Sequence, residues 1–198
     1  MERILAGTKA FDVAEAERAL MRAFWQGGYA GTGIGELEAS TGLKRGSLYN
    51  AFGDKAAMFR VAFARYGTEV EEAMLALLDR DDLVAGAEAM LAALVAGGGP
   101  DGPPGCLISR MAGELGGMAG PAGDSVRARL EQSMAHVEQR LSAAVADGTL
   151  RQGADVAVLA RMLVGSMRAV TLLSGAGAKH AAEDVAAMAA ERLRSELA

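Results

Sequence analysis

One cysteine, two histidines and 5% aromatic residues in 198 positions remove several kinds of protein at the outset. Cys106 alone cannot close an intramolecular disulfide or build a cysteine-based zinc cage. His136 and His180 stand far apart, and neither has partners at ligand spacing. His180, Glu183 and Asp184 could share one helical face. Two carboxylates and a lone imidazole there read as a solvated surface, so neither a metal nor a cofactor is expected. An enzyme would need a nucleophile, an acid–base pair or a metal set, and no such convergent motif is present. No stretch approaches the ~20 uninterrupted apolar residues that cross a bilayer. Residues 1–11 carry Glu2, Arg3 and Lys9 and lack the apolar run of a secretory signal, so a cytoplasmic protein without a membrane partner is expected.

What is present is a core-forming chain, 51% hydrophobic, with its charge unevenly spread. The formal net charge is −5. Residues 1–66 hold nine basic and seven acidic side chains, a net of +2, which leaves −7 on the remainder. A mildly basic head on an acidic body suits a DNA reader that must not bind polyanions indiscriminately.

The patterning predicts helix nearly throughout, with strand-like alternation absent. Asp12, with Glu15 three residues on, caps a first helix that ends at Gly27-Gly28. Short helices follow over 34–40 and 44–52, and Asp54 caps a longer fourth. Asp79 to Asp82 separates this from a fifth helix ending near 96. The run 97–105, holding three of the four prolines, reads as a loop. Further helices are expected over 106–118, from 124 or 125 to 146, 155–173 and 181–196, about nine in all. The fold class is therefore all-α: an amino-terminal three-helix unit over 1–53, a connecting helix over 54–76, and a helical bundle over 77–198.

Function concentrates in residues 28–59. Two short helices joined by Thr41-Gly42-Leu43 allow the second to protrude into a major groove. That helix opens with Lys44-Arg45-Gly46-Ser47, whose cations and small residues permit close approach to phosphates and base edges. Tyr49 and Lys55 flank it with a phenol and an ammonium suited to clamping phosphate. The segment 28–34, then Leu37, 41–49, 52–55 and Met58-Phe59, resembles the DNA-binding domain of the TetR family, over roughly residues 12–66. The resemblance implies a helix-turn-helix head, a carboxy-terminal dimerisation and ligand-binding bundle, and repression of a palindromic operator by a homodimer that responds to a small-molecule effector. It implies phosphate contacts from Thr32, Tyr49 and Lys55, and a groove-facing set of Lys44, Arg45, Gly46 and Ser47. Arg45 would lead direct base reading, while Leu48 and Phe52 would pack. Gly33 stands where family members often carry a hydroxyl.

Competing readings are simpler in places. Gly31, Gly33 and Gly35 do not make a nucleotide loop, because no strand precedes them and the P-loop lysine is missing. Phe24, Trp25 and Phe63 read as core of the head. Met90, Met111, Met118, Met134 and Met167 either line an adaptable effector cavity or fill gaps in a helical core. Cys106, at a predicted helix start, is either a sensor of electrophiles and oxidants or an inert small hydrophobe beside Leu107 and Ile108. Leu159, Met162, Leu163, Ser166 and Val170 on one late helix, with Val185, Met188 and Leu193 on the last, predict a four-helix interface between two copies. A helical adaptor without DNA binding is the alternative, against which Lys44, Arg45, Tyr49 and Lys55 all stand.

Overall fold

A computed structural model describes residues 3–6, 9–97, 103 and 105–198. Of the expected loop over 97–105, residues 98–102 and 104 fall outside this description. The chain begins with β1 (Arg3–Ala6) and β2 (Lys9–Asp12), an antiparallel pair with Arg3 opposite Asp12. Four-residue strands are too short to display a readable alternation, and this hairpin was not expected.

Asp12 then caps α1 (Val13–Gly31), its carboxylate accepting from the Glu15 amide at 3.2 Å. The expected stop at Gly27-Gly28 is instead a break. Gly28 takes φ 77° and ψ 175°, and helical geometry resumes to Gly31. α2 (Ile34–Thr41) and α3 (Arg45–Phe52) follow. The Asp54 carboxylate receives the Ala57 amide at 2.8 Å and starts α4 (Lys55–Tyr66). This helix continues through a π turn (Gly67–Glu71), a helical turn (Glu72–Leu75) and a 3-10 turn (Ala76–Asp79).

The body comprises α5 (Leu83–Val95), α6 (Leu107–Leu115), α7 (Pro121–Ala146), α8 (Val156–Gly175) and α9 (Lys179–Arg194). Counting the connector once, nine helices stand among the described residues. Asp82 and Asp155 cap α5 and α8 through the Ala85 and Val158 amides. Pro121 does not end a helix but opens α7, where its fixed φ and missing N–H are both compatible with a first turn.

Buried side chains form two clusters. One joins Leu20, Phe24, Trp25, Leu37, Leu48, Phe59 and Phe63 of α1–α4 to Leu107, Ile108, Met111 and Leu115 of α6 and to Val126 of α7. Phe24 and Phe59 meet edge to face at 5.4 Å, and Trp25 and Tyr66 at 4.9 Å. The other cluster packs the connector's end against α5, α7, α8 and α9. α8 has the length and mean hydropathy, 1.7, to cross a membrane. It carries Arg161 and Arg168, however, and packs against α7, α9 and α5 inside the bundle.

The π turn has a physical origin. It turns Glu71 inward, where the carboxylate, only 2% exposed, accepts from Arg129, from Arg168 and from the Ser133 hydroxyl at 2.6 Å. A β-carbon at Gly67 would overlap the Arg129 guanidinium, so glycine opens the route to Glu71. Two guanidiniums and a hydroxyl satisfy a charge that could not be buried alone.

Candidate nucleic-acid interface

The turn between α2 and α3 is fixed from within. Gly42 adopts φ 69°, the Thr41 hydroxyl donates to the Leu37 carbonyl at 2.6 Å, and the Leu43 amide donates to Thr41 Oγ1 at 3.2 Å. Across the turn, Glu38 Oε1 accepts from the Arg45 amide at 2.7 Å and so caps α3 from its partner helix. This role of Glu38 is not legible in the sequence. Glu38 stands seven residues from Arg45, a spacing that no capping rule covers.

This bracing presents the leading end of α3 outward. Lys44, Arg45 and Gly46 are exposed and Ser47 is half-buried, whereas Leu48 is fully buried and Phe52 nearly so. A β-carbon at Gly46 would touch nothing within 4 Å, so the fold itself does not demand glycine there. Tyr49 is 39% exposed, and the Arg45 guanidinium lies 5.8 Å from its ring centroid. The Lys55 ammonium sits 4.6 Å over the ring of Tyr29, a partner not anticipated from sequence. Burial and the nearby Asp54 carboxylate raise the Tyr29 phenol above its ordinary pKa.

Thr32 departs from its expected place. Expected to face a phosphate, it instead closes α1, is 1% exposed, and donates its hydroxyl to the Gly28 carbonyl at 2.6 Å. With its hydrogen committed inward, this side chain is not free to bond a phosphate. Gly33 is the cap residue of α2. Having no side chain, it leaves the first amides of α2 uncapped, while Glu36 accepts from the Gly33 amide at 2.9 Å.

In the body the methionines do not converge. Met90 and Met167 belong to one buried cluster and Met111 to the other, Met134 packs against the first, and Met118 is 54% exposed. Packing density, not a shared cavity, explains the buried ones. Cys106 is buried at the start of α6, with Sγ 3.5 Å from Arg168 Nη1. Beside it lies a cavity of about 20 Å³ lined by Tyr66, Glu71, Met167, Arg168 and Thr171, among others. That is room for about one water. Burial, and secondarily the neighbouring Cys106, push the Tyr66 phenol far above its usual pKa.

The expected dimer face also needs correction. Leu159, Leu163, Val170 and Leu193 are at most 1% exposed and belong to the chain's own core. Helical spacing alone does not say which flank of an apolar helix faces inward. Met162, Ser166 and Val185 are half-buried, and Val158, Leu172 and Met188 are exposed by 46%, 68% and 73%. These residues leave an open apolar strip along α8 and α9.

Two family descriptions match the chain. Residues 18–62 match "Bacterial regulatory proteins, tetR family", and residues 79–190 match "Tetracyclin repressor-like, C-terminal domain". The chain belongs to the TetR family. As a TetR-family protein it is a DNA-binding transcriptional regulator, not an enzyme. The HTH-type transcriptional repressor ComR of Escherichia coli (strain K12) is 28% identical over 158 residues, which are 78% of this chain and 75% of the relative. The TetR family transcriptional regulator CifR, solved as a cysteine mutant complexed with 26bp double-strand operator DNA, is 25% identical. Its TM-score is 0.81, and the match covers 93% of this chain and 98% of that one. A TetR regulator from Chloroflexus aurantiacus shares the fold, with TM-score 0.78 at 23% identity and coverage of 93% and 96%.

Proposed function

We propose that this TetR-family regulator is a ligand-responsive repressor that binds a palindromic operator as a homodimer. The observation that carries the reading is the exposed Lys44-Arg45-Gly46 edge of α3, braced by Glu38 and flanked by Tyr49 and Lys55. In this reading Arg45, Lys44, Gly46 and Ser47 enter the major groove, and Tyr49 and Lys55 hold phosphates on either side. The uncapped first amides of α2 add a backbone phosphate contact in place of the Thr32 hydroxyl. CifR, solved with operator DNA, supports the same use of the head.

Residues 1–53 form the reading unit, 54–76 the connector and 77–198 the dimerisation and effector-binding unit. Two copies pair through Val158, Met162, Leu172, Val185 and Met188, placing two recognition helices ~34–36 Å apart, one helical turn of DNA. The effector is a small molecule; the space of about 20 Å³ beside Cys106, Met167 and Arg168 holds one water, so an effector entering there must part the surrounding helices. It acts by differential affinity for DNA-competent and DNA-incompetent spacings of the heads. The protein works in the cytoplasm, where its operator is.

Arg45→Ala tests the assignment. Specific binding, measured by titration at fixed salt, should weaken by ~1–3 kcal/mol. Equal binding by variant and wild type would remove Arg45 from base reading. A wild-type chain with no preference for any duplex selected from random sequence would favour a helical adaptor.

A further inference from the structure

The break in α1 has consequences beyond that helix. With Gly28 at φ 77°, the backbone groups on either side lose their regular helical partners. Two side chains one turn apart on α6 meet them. Arg110 Nη1 donates to the carbonyls of Trp25 at 3.3 Å and Gln26 at 3.0 Å. Glu114 Oε2 accepts from the Tyr29 amide at 2.9 Å, and its Oε1 from the Ala30 amide. A β-carbon at position 28 would come within 2.8 Å of Glu114 Oε2 and 3.2 Å of Arg110 Nε. Glycine is required there by the backbone angle, and any larger residue would also push the ends of both clamping side chains aside.

The clamped turn is the one from which the reading helices hang. Tyr29, whose amide Glu114 holds, carries Lys55 over its ring, and the Thr32 hydroxyl closes onto the Gly28 carbonyl immediately before α2. At its other end α6 begins beside Cys106, against Arg168 of α8. Nine residues thus run from the buried centre of the body to the break in α1.

We propose that Arg110 and Glu114 are positioning residues for operator recognition: together they cap the broken α1 and fix the angle at which α2 and α3 leave the body. The proposal rests on the reading of α3 as the recognition helix, and neither residue belongs to the DNA-reading set. Without the clamp, the amides of Tyr29 and Ala30 and the carbonyls of Trp25 and Gln26 must find water, and the turn hinges at Gly28. Specific binding requires two heads in register on one duplex face and suffers from that hinge. Attraction to phosphates in general does not, because no DNA-facing cation has changed.

The test compares wild type with Glu114→Ala and Glu114→Gln. The probes are a duplex selected from random sequence by the wild type and a scrambled duplex of equal length, titrated across salt. Glu114→Ala should bind the selected duplex at least tenfold more weakly, with unchanged affinity for the scrambled one and an unchanged salt slope. Amide exchange at Tyr29 and Ala30 should rise, and Glu114→Gln, still able to accept one amide, should fall between. Equal discrimination by wild type and Glu114→Ala overturns the proposal. So does a parallel loss on both duplexes with a lowered unfolding midpoint, which marks a structural role only. A wild type that prefers no duplex overturns the recognition reading and the clamp with it. Discrimination retained in both proteins overturns the clamp alone.

Discussion

Replacing Glu71 by alanine leaves two guanidiniums in the body without their shared carboxylate, and the consequences can be sized. Glu71 is 2% exposed, while Arg129 and Arg168 are 16% and 17% exposed, so little solvent is at hand to screen the change. Arg129 retains a second carboxylate, Glu72 Oε1 at 3.6 Å. Arg168 has no other carboxylate partner among the described residues, and its Nε is buried without a hydrogen bond. Removing one member of a buried pair costs ~3–5 kcal/mol, chiefly as the penalty of the charge left behind. For a chain of this size that lowers the thermal midpoint by roughly 6–20 °C. Replacing both residues, as Glu71→Leu with Arg168→Met, removes the orphan and should recover most of the loss. Denaturant unfolding of the wild type, both single variants and the double gives the coupling directly. A cost below about 1 kcal/mol for Glu71→Ala, or additive single effects in the double variant, would refute the account of the π turn as a device for burying this charge.

Three further outcomes follow from named contacts. Thr32→Val should lower stability by ~1–2 kcal/mol, because the Gly28 and Ala23 carbonyls lose a buried donor, yet leave operator affinity at fixed salt unchanged. A similar loss of affinity for operator and scrambled duplex alike would restore Thr32 as a phosphate contact. Met188→Glu combined with Leu172→Glu places charges on the open strip of α8 and α9, and should yield monomers in sedimentation with helicity retained; a persistent dimer would place the interface elsewhere. Because the folded chain keeps the Tyr66 phenol protonated where the unfolded chain would release the proton, stability is intact below about pH 10 and falls as pH rises beyond it. Tyr66→Phe should flatten much of that fall in chemical unfolding at pH 9 to 11.

Much of the fold was legible because it rests on local chemistry. Asp12, Asp54, Asp82 and Asp155 each sit before an apolar-periodic run, and each caps the helix that follows. The outward Lys44-Arg45-Gly46 edge and the inward Leu48 and Phe52 follow from period and polarity within one short helix. Gly28 was misread because glycine marks both a helix end and a kink. Which one occurs depends on whether another element supplies partners for the freed backbone groups, as Arg110 and Glu114 do here.

Local patterning specified the helices and the reading head they build, because capping, turn chemistry and apolar period act over three to eight residues. Tertiary packing set the inward turn of Thr32 and the brace of Glu38 on α3. It alone decided that Leu159 and Leu193 belong to the chain's own core, and that Glu71 lies buried between two arginines. The reason is physical: an amphipathic pattern states that a helix has an apolar side, whereas which neighbour covers that side, and which charge meets which partner, is set by residues up to 106 positions apart.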